Sequence, residues 1–123
     1  MLFYPTAIGW HPKEKAGPGP SQRSAWQTIQ RAHAIANGIP VLACNRSGHE
    51  ADPSGQSEGI QFWGNSFVCG PQGEVIAQAG ATEEAVLMAN IDMARSESVR
   101  RIWPYLRDRR IDAYYELVLR YRD

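Results

Sequence analysis

Two apolar runs dominate the middle of the chain, Val41-Leu42-Ala43-Cys44-Asn45-Arg46 and Phe62-Trp63-Gly64-Asn65-Ser66-Phe67-Val68-Cys69. Their length and β-prone content predict buried strands that pair side by side. Pro71-Gln72-Gly73 follows the second run. It supplies a fixed φ and then a residue that accepts positive φ, so a tight turn and a returning strand over Glu74–Ala79 are expected. Asn45, Arg46, Trp63, Asn65 and Ser66 interrupt these runs with polar or amphipathic groups. Each must find a partner or cost stability. These are the positions where the pattern departs from plain core.

Before this block, Leu2-Phe3-Tyr4 reads as a strand that Pro5 should end, opening a loop through Thr6, Ala7 and Ile8. Its first neighbours would come from much later in the sequence, which suggests that the chain begins inside a domain. Gly9 to Pro20 is punctuated by glycine and proline, and regular structure is not expected there. Ser21 is placed to cap a helix to about Asn37. Trp26, Ile29, His33 and Ala36 recur at helical spacing, Ala25 and Ala32 widen the stripe, and Gly38 stops it with Pro40 just beyond. Strand, helix and strand make one β-α-β step, which favours an α/β layered architecture.

Ser47 to Gly59 is a polar surface excursion. Gly80 and Glu83-Glu84 mark a turn before the apolar run Ala85–Ile91. Asp92 is an N-cap for a helix through Met93, Val99 and Ile102, closed by Pro104. From Tyr105 to Asp123 large aromatic and aliphatic residues alternate with arginines, a tail suited to wrapping another surface. No internal repeat or linker breaks the chain.

At 123 residues the chain is at most one domain. Thirteen basic and thirteen acidic side chains cancel, so no net field draws it to nucleic acid or membrane. No apolar run reaches the roughly 20 residues of a spanning helix. The Met1 end lacks the basic start of a signal peptide. Cys44 and Cys69 both fall in expected interior strands and fit buried free thiols of a cytoplasmic protein better than a disulfide.

Candidate chemistry is sparse. His49-Glu50-x-Asp52 has metal-binding residue types but no second His or Cys at ligand spacing, so no metal site is expected. Arginine and aromatic residues mix from Arg100 to Arg122, but Asp108, Asp112, Glu116 and Asp123 interleave, which favours ion pairs over nucleic acid. His33, on the helical stripe, reads as a core histidine bonded to a backbone carbonyl. Neither cysteine has a charged or histidine neighbour to make it a nucleophile. His11, beside Trp10, is a candidate to line a pocket. The residues form no complete catalytic set.

Several strings nevertheless resemble the carbon–nitrogen hydrolase (nitrilase) superfamily. They are Leu2–Pro12, Arg31–Gly38, Asn45-Arg46-x-Gly48, Phe62-Trp63-Gly64-x-Ser66-Phe67 and Trp103–Tyr114, in the family's order and over essentially the whole chain. The resemblance implies the C-terminal part of an α-β-β-α sandwich, a mixed sheet with flanking helices, as a single partial domain over residues 1–123. It implies a parent enzyme that hydrolyses a linear N-carbamoyl amine, such as N-carbamoylputrescine, to the amine, carbon dioxide and ammonia. No cofactor is implied, and a homo-oligomer is. The family's Glu-Lys-Cys triad lies upstream of the stretch matching Leu2–Tyr4, so no catalytic residue is expected here. Thr6, Ala7 and Ile8 match a loop that abuts the carbamoyl group, and His11 matches a position near the substrate's amine end. Arg46 and Trp63 would brace the site and core. Gly17-Pro18-Gly19-Pro20 departs from the usual sequence of this loop. The rival expectation is a truncated, non-catalytic relative that acts as an assembly or binding module.

Overall fold

A computed structural model describes residues 1–11, 13–14 and 17–121. Pro12, Lys15 and Ala16 of the expected loop, and Arg122 and Asp123 of the expected tail, lie outside the described residues. The central sheet has four strands in the order β1 (Leu2–Thr6), β3 (Val41–Asn45), β6 (Phe67–Cys69) and β7 (Val75–Gln78). β1 and β3 are parallel, joined through helix α1 (Gly19–Asn37), and the other two pairs are antiparallel. The β-α-β step and the α/β class are therefore present. A second, smaller antiparallel sheet joins β2 (Gly9–Trp10), β5 (Ile60–Phe62) and β4 (His49–Glu50) in the order β2-β5-β4.

Pro5 does not end the first strand. Leu2 donates to the Pro40 carbonyl and the Thr6 carbonyl accepts from Arg46, so the even positions engage β3. Pro5 sits at an odd position of an edge strand, where a nitrogen without a proton costs no ladder bond. Nor is the stretch after Ile8 free of regular structure. Gly9 and Trp10 pair with Phe62 and Gln61, and a Cβ at Gly9 would run into the Gln61 carbonyl.

The expected single strand Phe62–Cys69 is instead two strands in two sheets. Gly64 and Asn65 both take positive φ, 56° and 54°, and this left-handed pair turns the chain from one sheet to the other. A strand cannot continue through two such residues. The turn beyond it forms as expected: Gly73 has φ 75°, and its N–H bonds the Gly70 carbonyl at 2.9 Å.

Helix α1 begins at Gly19 rather than at a Ser21 cap. Pro18 is the N-cap, without a side-chain bond, and Pro20 lies in the first turn, where its missing N–H is no loss. The helix ends as read. Gly38, at φ 58°, donates to Ile35, and Ile39 donates to Ala34, which closes the last carbonyls. Trp26 of the expected stripe does face the core, half-buried, but the line continues through the buried Gln30 and Ala34, spaced by four, instead of through Ile29, His33 and Ala36. The rotation follows from what the sheet offers. Phe67 fills the space beneath the helix, and Trp26 meets it edge-on at 6.0 Å, which leaves room for an alanine at 34. Ile29 is 56% exposed, and His33 is an exposed residue bonded to the Tyr4 hydroxyl at 2.9 Å, not a core histidine.

The core is Ala34, Val41, Ala43, Phe67 and Cys69, with Leu2, Tyr4 and Trp26 against it. Complete burial of Phe67 is worth about 2–3 kcal/mol. Alternation along β3 sends Val41 and Ala43 to this side and Leu42 and Cys44 to the other. Cys44 is thus exposed, contrary to the interior position expected for both thiols, and both cysteines are free. Asp92 caps α2 (Met93–Ile102), accepting from the Ala94 and Arg95 amides. Beyond it the tail makes two short 3-10 turns, Ile111–Ala113 and Tyr115–Val118. Arg107–Asp108 and Arg110–Asp112 pair within the tail, as the interleaved charges suggested.

Candidate functional site

The end of β3 carries Asn45, whose side chain makes all four hydrogen bonds it can. Its Oδ1 accepts from the Thr6 hydroxyl and the Ile8 amide, each at 2.9 Å. Its Nδ2 donates to the carbonyls of Ile8 and Gly64, each at 3.1 Å. The Asn45 main chain is held as well, since Ser66 Oγ accepts from its amide at 2.9 Å and donates to its carbonyl at 3.2 Å. One amide thus joins the segment leaving β1 to the left-handed link between the two sheets. Of the polar groups singled out in the apolar runs, Asn45 and Ser66 pair with each other. Asn65 donates to the Trp63 carbonyl and accepts from Gln78, and the buried Trp63 Nε1 has no hydrogen-bond partner among the described residues.

This arrangement fixes Thr6 and Ile8 and leaves Ala7 exposed between them. Trp63 donates its amide to the Ile8 carbonyl at 3.1 Å and packs its ring between Trp10 and Trp26, at 5.8 and 5.9 Å. Trp10 Nε1 donates to the Gly19 carbonyl at 2.8 Å, and a Cβ at Gly19 would press on that indole. Gly19 of the Gly-Pro-Gly-Pro run is thereby explained: it lets helix α1 start against Trp10. Arg46 lies over the Phe62 ring, 4.5 Å from its centroid, and pairs with Glu50. Trp63 is a core residue and Arg46 a surface brace.

His11 is not gathered by Asn45. It follows β2 and lines a separate cavity of about 410 Å³ with Lys13, Gln56, Ser57 and Glu58. The Lys13 amide donates to His11 Nδ1 at 3.3 Å, which leaves the ring proton on Nε2. Residues 52–58 are shaped by Asp52, which accepts from the amides and hydroxyls of Ser54 and Ser57. These bonds, Ser54 first, hold its carboxyl below the usual carboxylate range. His49 Nε2 meets the Glu58 carbonyl at 2.7 Å and fixes the far end of the turn. A second cleft, about 510 Å³, lies beyond Asn45 between Arg46–His49 and the Gly80–Ala85 segment, with Glu83 and Glu84 on its wall.

Of the four residues expected to touch substrate, Thr6 and Ile8 are joined by Asn45, Ala7 lies between them, and His11 stands apart. Asn45 was expected to need partners, but its central role was not legible because three of its four partner groups are main-chain atoms. Burial pushes the Cys69 thiol up, so it stays protonated. Among the described residues, no group of three His, Cys, Asp or Glu residues is placed to hold a metal ion, and no helix is long and apolar enough to cross a membrane.

The sequence profile described as carbon-nitrogen hydrolase matches residues 12–101. N-carbamoylputrescine amidase of Solanum tuberosum is 45% identical over 120 residues, 96% of this chain and 39% of that protein. Citrullinase of Francisella tularensis is 36% identical over 121 residues, 98% of this chain and 40% of that protein. A crystal structure of a carbon–nitrogen hydrolase from Helicobacter pylori G27 superposes with a TM-score of 0.93 at 52% identity, over 98% of this chain and 42% of that one. The chain spans about two-fifths of the length of the curated relatives it matches.

Proposed function

This chain belongs to the carbon–nitrogen hydrolase family, and from that premise we propose that it is the C-terminal part of an enzyme that hydrolyses a linear N-carbamoyl amine. N-carbamoylputrescine is the substrate this reading names, and the cytoplasm is the compartment. The observation that carries it is the loop Thr6–Ile8, anchored through Asn45 at both ends with Ala7 left open. A rim held that firmly suits the wall of a site whose reacting groups arrive from another part of the same enzyme. The thiolate of the family triad attacks the carbamoyl carbon, the glutamate passes the proton to the leaving nitrogen, and ammonia departs. The lysine stabilises the oxyanion. Water then releases the carbamoyl group, giving the amine and carbon dioxide. Thr6, Ala7, Ile8 and His11 supply wall in this scheme and no proton transfer.

The sheet supports the same reading. One face is covered by α1, while on the other Phe3 is 64% exposed and Cys44 lies open. A mixed sheet with one bare face suits one layer of an α-β-β-α sandwich. Mass spectrometry of the native protein tests it through tryptic peptides that precede Met1 in the same chain. Their absence from a native protein of this length would overturn the proposal. His11→Ala in the intact enzyme should raise KM several-fold and leave the unfolding midpoint in place.

A second reading, an assembly module without chemistry, is favoured by the tail. Ile111, Tyr115, Leu117, Val118 and Tyr121 are all exposed. Such a surface invites association, with further copies of this chain or with intact subunits. A stable monomer at high concentration in light-scattering measurements would remove it.

A further inference from the structure

The apolar run Ala85–Ile91 is drawn out between two anchors. At its start the Gly80 amide donates to the Glu83 carboxylate at 2.8 Å, and the Gly80 carbonyl accepts from the Asn65 amide at 2.8 Å. At its end Asp92 caps α2, and Arg95 in the first turn donates to the Gln72 side chain at 3.0 Å and pairs with Glu74. Between the anchors Leu87, Ala89 and Ile91 are half-buried while Val86, Met88 and Asn90 are exposed. That is the period-two alternation of a strand, and no residue in the run takes positive φ. Yet the run belongs to neither sheet. Among the described residues no main-chain N–H or C=O from Val86 to Asn90 is hydrogen-bonded. The apolar side chains on its outer side are bare as well, Val86 at 92% and Met88 at 89% exposure. Backbone of this kind is a template for another strand.

The charges around the run say what does not fill it. Antiparallel pairing with a second copy, centred on Met88, sets Glu84 opposite Asp92 at both ends, and a slip of one residue brings Glu83 there instead. In-register parallel pairing stacks each of these acids on its own copy. Like charges directly opposite destabilise a strand pair. The open edge of β1 in a second copy fits no better, because Pro5 has no N–H to give. An apolar strand without acids at its ends does fit. The relatives carry about three-fifths of their length outside the matched stretch, which is 39% of the Solanum tuberosum protein and 42% of the Helicobacter pylori one. We propose that Val86–Asn90 is an open strand that pairs with such a strand from the part of the polypeptide preceding Met1, a partner that rests on the partial-enzyme reading above.

Amide hydrogen exchange on the native protein, followed residue by residue, reads the pairing. The amides of Val86–Asn90 should exchange about a hundredfold or more slower than an open chain of the same sequence, as paired strands do. Photo-methionine incorporated in place of methionine identifies the partner, since Met88 lies on the exposed side. Its cross-links should reach peptides that precede Met1 in the same chain. Open-chain exchange at these five amides, in a protein that does carry such peptides, would overturn the pairing and leave the partial-enzyme reading standing. Cross-links from Met88 that land only within residues 1–123 of a second copy would overturn it too, because the run would then be a self-assembly edge. A native protein with no peptide before Met1 removes the reading on which the partner rests, whatever the exchange shows.

Discussion

Replacing Asn45 by alanine removes four hydrogen bonds at once, and the structure says which of the losses matter. The Thr6 hydroxyl keeps the Cys44 carbonyl at 3.3 Å, and the Ile8 carbonyl keeps the Trp63 amide at 3.1 Å. The Gly64 carbonyl belongs to a buried residue and loses the Asn45 amide group that satisfied it. Stranding it costs about 1–3 kcal/mol. The Ile8 amide lies near solvent and loses about 1 kcal/mol, since water replaces its partner. Together Asn45→Ala should destabilise the protein by about 2–4 kcal/mol, read as a lower urea midpoint at unchanged slope. Asn45→Asp separates the donor half from the acceptor half. It keeps both bonds from Thr6 and Ile8 but turns a carboxylate oxygen toward two carbonyls, so it should be at least as damaging at pH 7. Stability should then rise as acid protonates the introduced group. A loss under about 0.5 kcal/mol for Asn45→Ala would refute the idea that this side chain holds the loop to the sheets.

Gly64→Ala tests the link itself, since φ 56° and the Ala81 carbonyl both oppose a Cβ. It should cost about 2 kcal/mol or more in the same assay, and a neutral result would deny that the left-handed turn is obligatory. For residues 52–58, the Asp52 carboxyl is held below its ordinary value. The order it gives is therefore complete above the usual carboxylate range and is lost as pH falls through its lower folded value. Amide shifts of Ser54 and Ser57 should follow that titration below pH 4, and Asp52→Asn should abolish it. The same acid transition in the variant would assign it to another group.

How much of this was legible depends on whether a feature is written in local spacing or in what covers it. The helix end at Gly38 and the Asp92 cap are local devices, and both form where the sequence put them. The turn at Gly73 is of the same kind. The phase of α1 is different, because from Trp26 the stripe is as periodic through Ile29, His33 and Ala36 as through Gln30 and Ala34. What decides between them is the bulk of Phe67 on a strand far along the chain. Cys44 departs from expectation for a related reason: an apolar run predicts burial on both faces, whereas only the Val41 and Ala43 side is covered.

The break between β5 and β6 is the instructive case. Phe62–Cys69 has the apolar content of one strand, and Gly64-Asn65 is the only local sign against it. Both residues tolerate left-handed backbone, but tolerance does not say that the conformation is used. What uses it here lies outside the segment. Arg46 accepts from the Gly64 amide at 3.0 Å, Gly80 accepts from the Asn65 amide at 2.8 Å, and Asn45 holds the Gly64 carbonyl. Three main-chain groups of the link are satisfied by residues from the ends of two neighbouring strands. The Asn45 side chain and the main-chain carbonyls of Arg46 and Gly80 therefore hold the link where those strands end. They mark where two sheets are joined, and the rim proposed to face substrate is built from the same bonds.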